Sequence, residues 1–311
     1  IRVQNQGPIK FEGEGRPIRG LSQDQGLTLE CQALAADLVS LKGKGYVLQA
    51  ADLTGSVHLV QGKDGVSKSF KGDRLRLDDN GSQAQVTLPR PFSMVERGKV
   101  EGGEAVRTIE ASSGVIHLDT FQKPAGKFKS ADVEGAVTFV LDEPLRELTL
   151  KSAKAAIAQG QGLLSFNLPS AFTLDGSNQP KPAEQNFIKA SAGSGRATVL
   201  EKAADGESSL QSLDLKGGVT LHITSKFKTE KGEKTRVVKA KGSSLVFSRE
   251  TGLMVLGGGV TYSLDSIEEG EDPIEAEGSS DMLEITLDKS GKLLNASAKA
   301  GRTNIKQGGK P

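Results

Sequence analysis

Ala240-Lys241-Gly242-Ser243-Ser244-Leu245-Val246-Phe247, a turn at Glu250-Thr251-Gly252, then Leu253-Met254-Val255-Leu256 and Gly259-Val260-Thr261-Tyr262: this stretch decides the fold. Apolar and polar residues alternate along it, the period-two pattern of a strand with one face inward and one toward water. The turn residues between the two limbs tolerate positive φ and make antiparallel neighbours of them. Further along, the opening half recurs as Ala276-Glu277-Gly278-Ser279-Ser280, then Leu283-Glu284-Ile285-Thr286-Leu287, a turn at Lys289-Ser290-Gly291 and Leu293-Leu294-Asn295-Ala296. Upstream it recurs from Ala192 to Leu221 and, more briefly, in Lys71-Gly72-Asp73-Arg74-Leu75-Arg76-Leu77. An internal repeat of strands and turns is the organising feature.

Working outward, the same period holds in Val57-His58-Leu59, Val137-Thr138-Phe139, Leu148-Thr149-Leu150, Leu164-Ser165-Phe166-Asn167-Leu168 and Val219-Thr220-Leu221-His222-Ile223. The segments Leu27 to Leu41 and Ala153 to Gln159 have enough apolar residues to compete as helices, but they lack caps and adjoin glycines, and are read as strand. Return limbs begin with a glycine before a valine at Gly55, Gly135, Gly218 and Gly259, in steps of 80, 83 and 41 residues. A glycine at one fixed place in successive strands marks a bulge or bend, and the spacing suggests a unit near 41 residues with an intermediate copy missed in each longer gap. The expected fold is all-β: an elongated antiparallel β-jellyroll built from repeated hairpins.

The polar stretches Met94 to Thr108, Asp175 to Asn186, Lys226 to Arg236 and Ile267 to Glu275 read as long hairpin tips, because strand pattern resumes on both sides. One continuous body is expected over residues 21–305, with the stretch near 176–186, containing Pro180 and Pro182, as the best candidate cut. Residues 1–20 and 306–311 are expected to be loosely held ends. The start at Ile1 suggests that an upstream segment has been removed.

In the 311 residues, 40 Lys and Arg face 39 Asp and Glu, and aromatic residues make up 4%, with no Trp. That balance argues against a nucleic-acid partner, which needs a basic surplus and stacking platforms. No apolar run approaches the ~18 residues of a membrane-spanning helix. Cys31 is the single cysteine, so neither an intrachain disulfide nor a cysteine metal site can form, and its setting suits packing as a small apolar residue.

Catalytic signatures are missing. There is no Gly-x-Ser-x-Gly elbow, Walker loop or His-Glu-x-x-His pattern, and Gly193-Ser194-Gly195 opens a strand, with no helix N-terminus to meet a phosphate. His58, His117 and His222 fall on outward strand positions, far apart in sequence and with no common partner beside them, so solvated histidines are expected instead of metal ligands. The acidic run Glu268, Glu269, Glu271, Asp272 and Glu275 lacks calcium-loop spacing and reads as a solvated turn. No enzyme, no metal and no cofactor is expected.

What remains is an aliphatic interior: Val57, Leu59, Leu75, Leu77, Val137, Phe139, Leu164, Phe166, Leu168, Val219, Leu221, Ile223, Leu245, Phe247, Val260, Tyr262, Leu264, Leu283 and Ile285. These side chains either pack on one another as in any sandwich, or line an incompletely closed trough that hosts a lipid chain at ~0.8 kcal/mol per buried methylene.

The pattern Ala-x-Gly-x-x-Leu-x-Phe, a short turn, an apolar return and Gly-x-Val-x-Leu resembles the repeat of the OstA-like (LptA) family of periplasmic lipopolysaccharide-transport proteins. It is clearest over Leu48 to Leu88 and Lys239 to Ile305, and weaker over Val133 to Leu174. The resemblance implies V-shaped strands stacked into a jellyroll, acyl chains of lipopolysaccharide or a similar envelope glycolipid held at the interior positions just named, a periplasmic or cell-envelope location, and end-to-end joining by edge-strand pairing with other OstA-like proteins or as a homo-oligomer. At 311 residues the chain is about twice a short bridge protein of that family and lacks the membrane barrel of its outer-membrane partner. The rival reading is a structural β-solenoid or adhesin-like spacer with a sealed core and no cargo.

Overall fold

The computed structural model describes residues 9–12, 17–22, 27–41, 45–63, 65–100, 102–120, 128–200 and 210–307. All regular structure within them is strand, and every recorded pairing is antiparallel. Two compact units divide the chain, one of residues 1–139 and 156–159, the other of residues 140–155 and 160–311. The stretch 176–186 is a hairpin tip inside the second unit.

The first unit contains β1 (Ile9–Glu12), β2 (Ile18–Ser22), β3 (Leu27–Cys31), β4 (Ala33–Leu41), β5 (Gly45–Lys63), β6 (Val66–Asp79), β7 (Gln83–Leu88), β8 (Phe92–Val100), β9 (Gly103–Ala111), β10 (Ser113–Asp119) and most of β11 (Phe128–Glu143). Most of β12 (Arg146–Gly160) belongs to the second unit, with β13 (Leu163–Leu168), β14 (Phe172–Lys181), β15 (Glu184–Ala192), β16 (Ser194–Leu200), β17 (Leu210–Lys228), β18 (Glu233–Ser248), β19 (Leu253–Glu268), β20 (Ile274–Leu287) and β21 (Leu293–Gln307). Both helix-competing segments are strands: Leu27 to Leu41 forms β3 and β4, and Ala153 to Gln159 lies in β12. β1 lies within residues 1–20 and β2 begins there and runs to Ser22; they pair with β4 and β3.

The long strands bend at the predicted glycines. Register slips between Thr54 and Val57 in β5, Lys216 and Val219 in β17, and Gly257 and Val260 in β19. Positive φ falls on Gly55 and Ser56, Gly135 and Ala136, Gly217 and Gly218, Gly258 and Gly259. These are β-bulges that turn each strand through a corner. A Cβ on Gly135 would sit 2.7 Å from the Ser112 side chain, so glycine there serves close approach as well as conformation. Beyond the corner the same strand pairs with different neighbours within the one sheet, so each unit has two arms. In the second unit one arm is built on β14, β15 and residues 219–228 of β17; the other on β13, β16 and residues 210–216 of β17.

The repeat differs from the expected 41-residue step. Neighbouring strands break opposite the bulges at Gln32, Ser112 and Gly193, each of whose N–H groups donates across the corner, and these positions step by 80 and 81 residues. Leu88-Pro89-Arg90-Pro91-Phe92 and Leu168-Pro169-Ser170-Ala171-Phe172 are likewise 80 apart and connect β7 to β8 and β13 to β14. Proline supplies the corner by removing a ladder donor, and that is why no glycine marks it. The 41-residue step holds only in the C-terminal part, from Gly218 to Gly259 and from Gly259 to Ala300 (φ 55°) in β21.

Four hairpin tips fall where polar stretches predict them, between β8 and β9, β14 and β15, β17 and β18, and β19 and β20. Gly81, Gly252 and Gly291 take positive φ in the predicted turns, while Asp205-Gly206 lies outside the described residues. The inward faces form the core of each unit, including Val137, Phe139 and Leu88 in the first and Phe166, Leu215, Ile223 and Leu245 in the second. Cys31 is buried in the first, and burial raises its thiol pKa.

Candidate functional site

Alternation and corner bulges together put the expected lining residues inside. Seventeen are buried, and Leu59 and Leu264 are half-buried. Val57, Leu59, Leu75, Leu77, Val137 and Phe139 belong to the first unit; the other thirteen converge in the second. Tyr262 is 5% exposed, and its hydroxyl reaches Thr303 Oγ1 at 2.6 Å on β21, so the ring lies inside while its polar end is satisfied.

In the second unit the mouth between the arms is closed by the Asp288–Leu293 turn. The Leu293 N–H donates to Ser225 Oγ (2.8 Å), Asn178 Nδ2 to the Ser290 carbonyl (2.8 Å), and Arg236 Nη1 to the carbonyls of Leu293 and Leu294 (3.2 and 2.9 Å). Lys292 Nζ stands 4.0 Å from the centre of the Phe227 ring. Behind the turn is a cavity of about 40 Å³ bordered by Leu148, Ile188, Leu210, Phe247, Asn178 and Asn186. That is room for a water, which Asn186 Oδ1, accepting no hydrogen bond among the described residues, would welcome. It is far below the roughly 300 Å³ or more of a ligand-sized pocket. A hydrocarbon chain enters this interior only if the arms part at the mouth.

The larger concavities lie on the outward faces. One in the second unit measures about 1270 Å³ and is bordered by β12, β14, β15, β17, β18, β19, β20 and β21. A cross-strand row runs through it: Asp175 opposite Lys189, Lys189 opposite His222, then Lys239, Ser263, Glu277 and Asn304. A second row, Thr173, Ser191, Thr220, Lys241 and Thr261, lies beside it. The groove of the first unit, about 630 Å³, holds His58, Lys71, Ser93 and Glu110 opposite one another on β5, β6, β8 and β9.

The same four residue types therefore recur in the same strand order, His-Lys-Ser-Glu, in both units. The histidines were expected to share no partner. Only the pairing register reveals this one, since lysine, serine and glutamate come from three other strands. His58 stands one residue past its corner valine and His222 three past, so the row of the second unit lies one rung farther out. His222 is half-buried, Thr224 Oγ1 lies 3.2 Å from its Nε2, and its pKa is lowered first by burial and then by Lys239 and Lys189. His117 on β10 is opposite Ser130 and Gln85 and belongs to neither groove.

Among the described residues no group of His, Cys, Asp and Glu could hold a metal ion. Of the acidic run, Glu268 is tied to Lys234 Nζ (2.6 Å) and Thr229 Oγ1 (2.7 Å), while Glu269, Glu271, Asp272 and Glu275 are exposed. Among the described residues no helix is long and apolar enough to cross a membrane. No protein-family model, curated protein or solved structure matches the chain.

Proposed function

We propose that the chain is a non-enzymatic carrier or bridge of the cell envelope, holding lipopolysaccharide or a similar glycolipid by its acyl chains between the two arms and passing it toward the outer membrane through the periplasm. The observation that carries this reading is the make-up of the interior. Both arms present aliphatic side chains to each other along every long strand, while the mouth is held by a few hydrogen bonds around Ser225, Asn178 and Ser290. Opening the mouth costs those bonds, about 0.5–1.5 kcal/mol each net. Burying a chain of a dozen methylenes returns ~0.8 kcal/mol apiece.

Partnership with a second copy or a related jellyroll follows from β21. Among the described residues its strand pairing is with β20, and on the other side only its first residues are held, by Ser225 and Arg236, which leaves the rest of a 15-residue strand as an edge. Ile305 is 71% exposed on it. Such an edge suits strand addition. Concentration-dependent assembly by light scattering supports end-to-end joining, and a monomer at every concentration rejects it.

The 40 Å³ cavity favours one rival, a structural spacer whose core stays shut. Photoreactive benzoylphenylalanine at Phe166, Leu221 or Phe247, with Thr138 and Thr220 as outward controls, separates the two. Lipid adducts at the inward sites, and mass-spectrometric recovery of glycolipid with the native protein, support the carrier. Adducts at outward sites alone, with no lipid recovered, leave the spacer.

A further inference from the structure

The outward groove of the second unit concentrates positive charge at its centre. His222 has Lys189 directly opposite on β15 and Lys239 directly opposite on β18, with Lys241 one rung away. The diagonal neighbours on β15 are Ser191 and Phe187, and on β18 Val237 beside Lys241, so no acidic group faces the imidazole. Lys189 is paired with Asp175 at 2.7 Å, whereas Lys239, Lys241 and Lys151 have no ion-pair partner among the described residues. The remaining acids, Glu147 and Glu277, lie toward the rims on β12 and β20. Like charges opposite one another across a sheet are unfavourable unless something neutralises them. Burial first, and then Lys239 and Lys189, lower the pKa of His222.

Around the cations the floor is hydroxylic, with Thr173 on β14, Ser191 on β15, Thr220 on β17, and Thr261 and Ser263 on β19. Hydroxyl groups donate and accept at once, the chemistry that matches a polyhydroxylated ligand. At about 1270 Å³ the groove exceeds the size of single-ligand pockets and suits an oligomer. Nucleic acid fits less well. The two aromatic residues at the groove are Phe187, which is half-buried, and Tyr262, whose ring is buried, so bases have no exposed platform to stack on.

We propose that this groove binds an anionic oligosaccharide, its carboxylate or phosphate groups held by Lys239, Lys241 and Lys189 beside His222 and its hydroxyls by the flanking Ser and Thr rungs. The site lies on the outward face and survives if the interior proves sealed. The first unit supplies an internal contrast: its groove has the His-Lys-Ser-Glu row but one lysine, Lys71, against Asp73 and Glu110, and is not expected to hold a polyanion.

The test uses the whole chain, with calorimetry and NMR of the histidine rings. Oligogalacturonate carries carboxylates, a phosphorylated oligomannan carries phosphates, and neutral maltohexaose and single-stranded DNA are the controls. Binding of either anionic sugar supports the proposal, and which one binds separates uronate from sugar phosphate. The bound ligand moves the His222 titration upward toward its ordinary value. Lys239→Gln with Lys241→Gln weakens affinity at least tenfold, and Lys71→Gln leaves it unchanged. Both lysines are exposed, so the variants keep the fold. Absence of binding with an unmoved His222, equal affinity in the double variant, maltohexaose bound as tightly, or DNA bound more tightly than either sugar overturns it.

Discussion

Ser225→Ala opens the mouth of the second unit at its most buried point. Ser225 is 0% and Leu293 4% exposed, and the Ser225 hydroxyl is the recorded acceptor of the Leu293 N–H at 2.8 Å. Alanine leaves that amide buried without a partner, a cost of about 1–3 kcal/mol. If the Asp288–Leu293 turn opens as a local unit, its opening equilibrium rises by the same amount, ~5- to 150-fold faster amide exchange at Leu293. Hydrogen exchange read by NMR measures this directly. Thr224→Ala, one residue away and on the outward face, is the control and should change exchange little, since it removes no buried partner. On the carrier reading, the same Ser225 variant takes up a fluorescent fatty acyl probe faster than the parent. Unchanged exchange at Leu293 refutes the role given to this bond, and faster exchange without faster uptake refutes the mouth as the route of entry.

The glycines of positive φ rank by what a new Cβ meets. Gly218→Ala, with open space around it, costs about the 1–2 kcal/mol of left-handed backbone, whereas Gly252→Ala adds a 2.3 Å clash with the Leu287 carbonyl and should cost clearly more in urea melts. Ile223→Ala, at 0% exposure, should lose about 2–5 kcal/mol in the same assay, and a loss under 1 kcal/mol would contradict a close-packed interior. Hydrogen bonds first from Lys234 and then from Thr229 hold the Glu268 carboxyl below its ordinary value, so the stabilisation it lends is present above about pH 4.5 and disappears as pH falls through the folded value. NMR of Glu268 should show its midpoint rising in Lys234→Met; an unmoved midpoint would deny the pairing. Cys31, buried with a raised pKa, should alkylate with iodoacetamide far more slowly in the folded protein than in urea.

The strands and their inward faces were readable because period-two alternation is a local property, and Leu164 to Leu168 or Val219 to Ile223 carry it within five residues. Corner glycines were readable for the same reason, since positive φ is written into Gly55, Gly135, Gly218 and Gly259 themselves. Corners at Gln32 and Ser112 were not, because those residues take their place from a hydrogen bond to a strand more than twenty residues away. The His-Lys-Ser-Glu rows were hidden for a related reason. Each member is an unremarkable outward residue, and the row exists only once four strands are aligned. The state of the interior was equally out of reach, since its closure depends on Ser225 and Leu293, 68 residues apart.

A strand that bends at a bulge serves two arms of one sheet at once, and this sets how tolerant the chain is of error. Slipping β17 by one residue would expose Val219, Leu221 and Ile223 in one arm together with Leu213 and Leu215 in the other, doubling the penalty of a flat sheet. The bulges thus act as pegs that index each new strand against the last, and assembly that starts at the pegs and zips outward along both arms proofreads its own alignment.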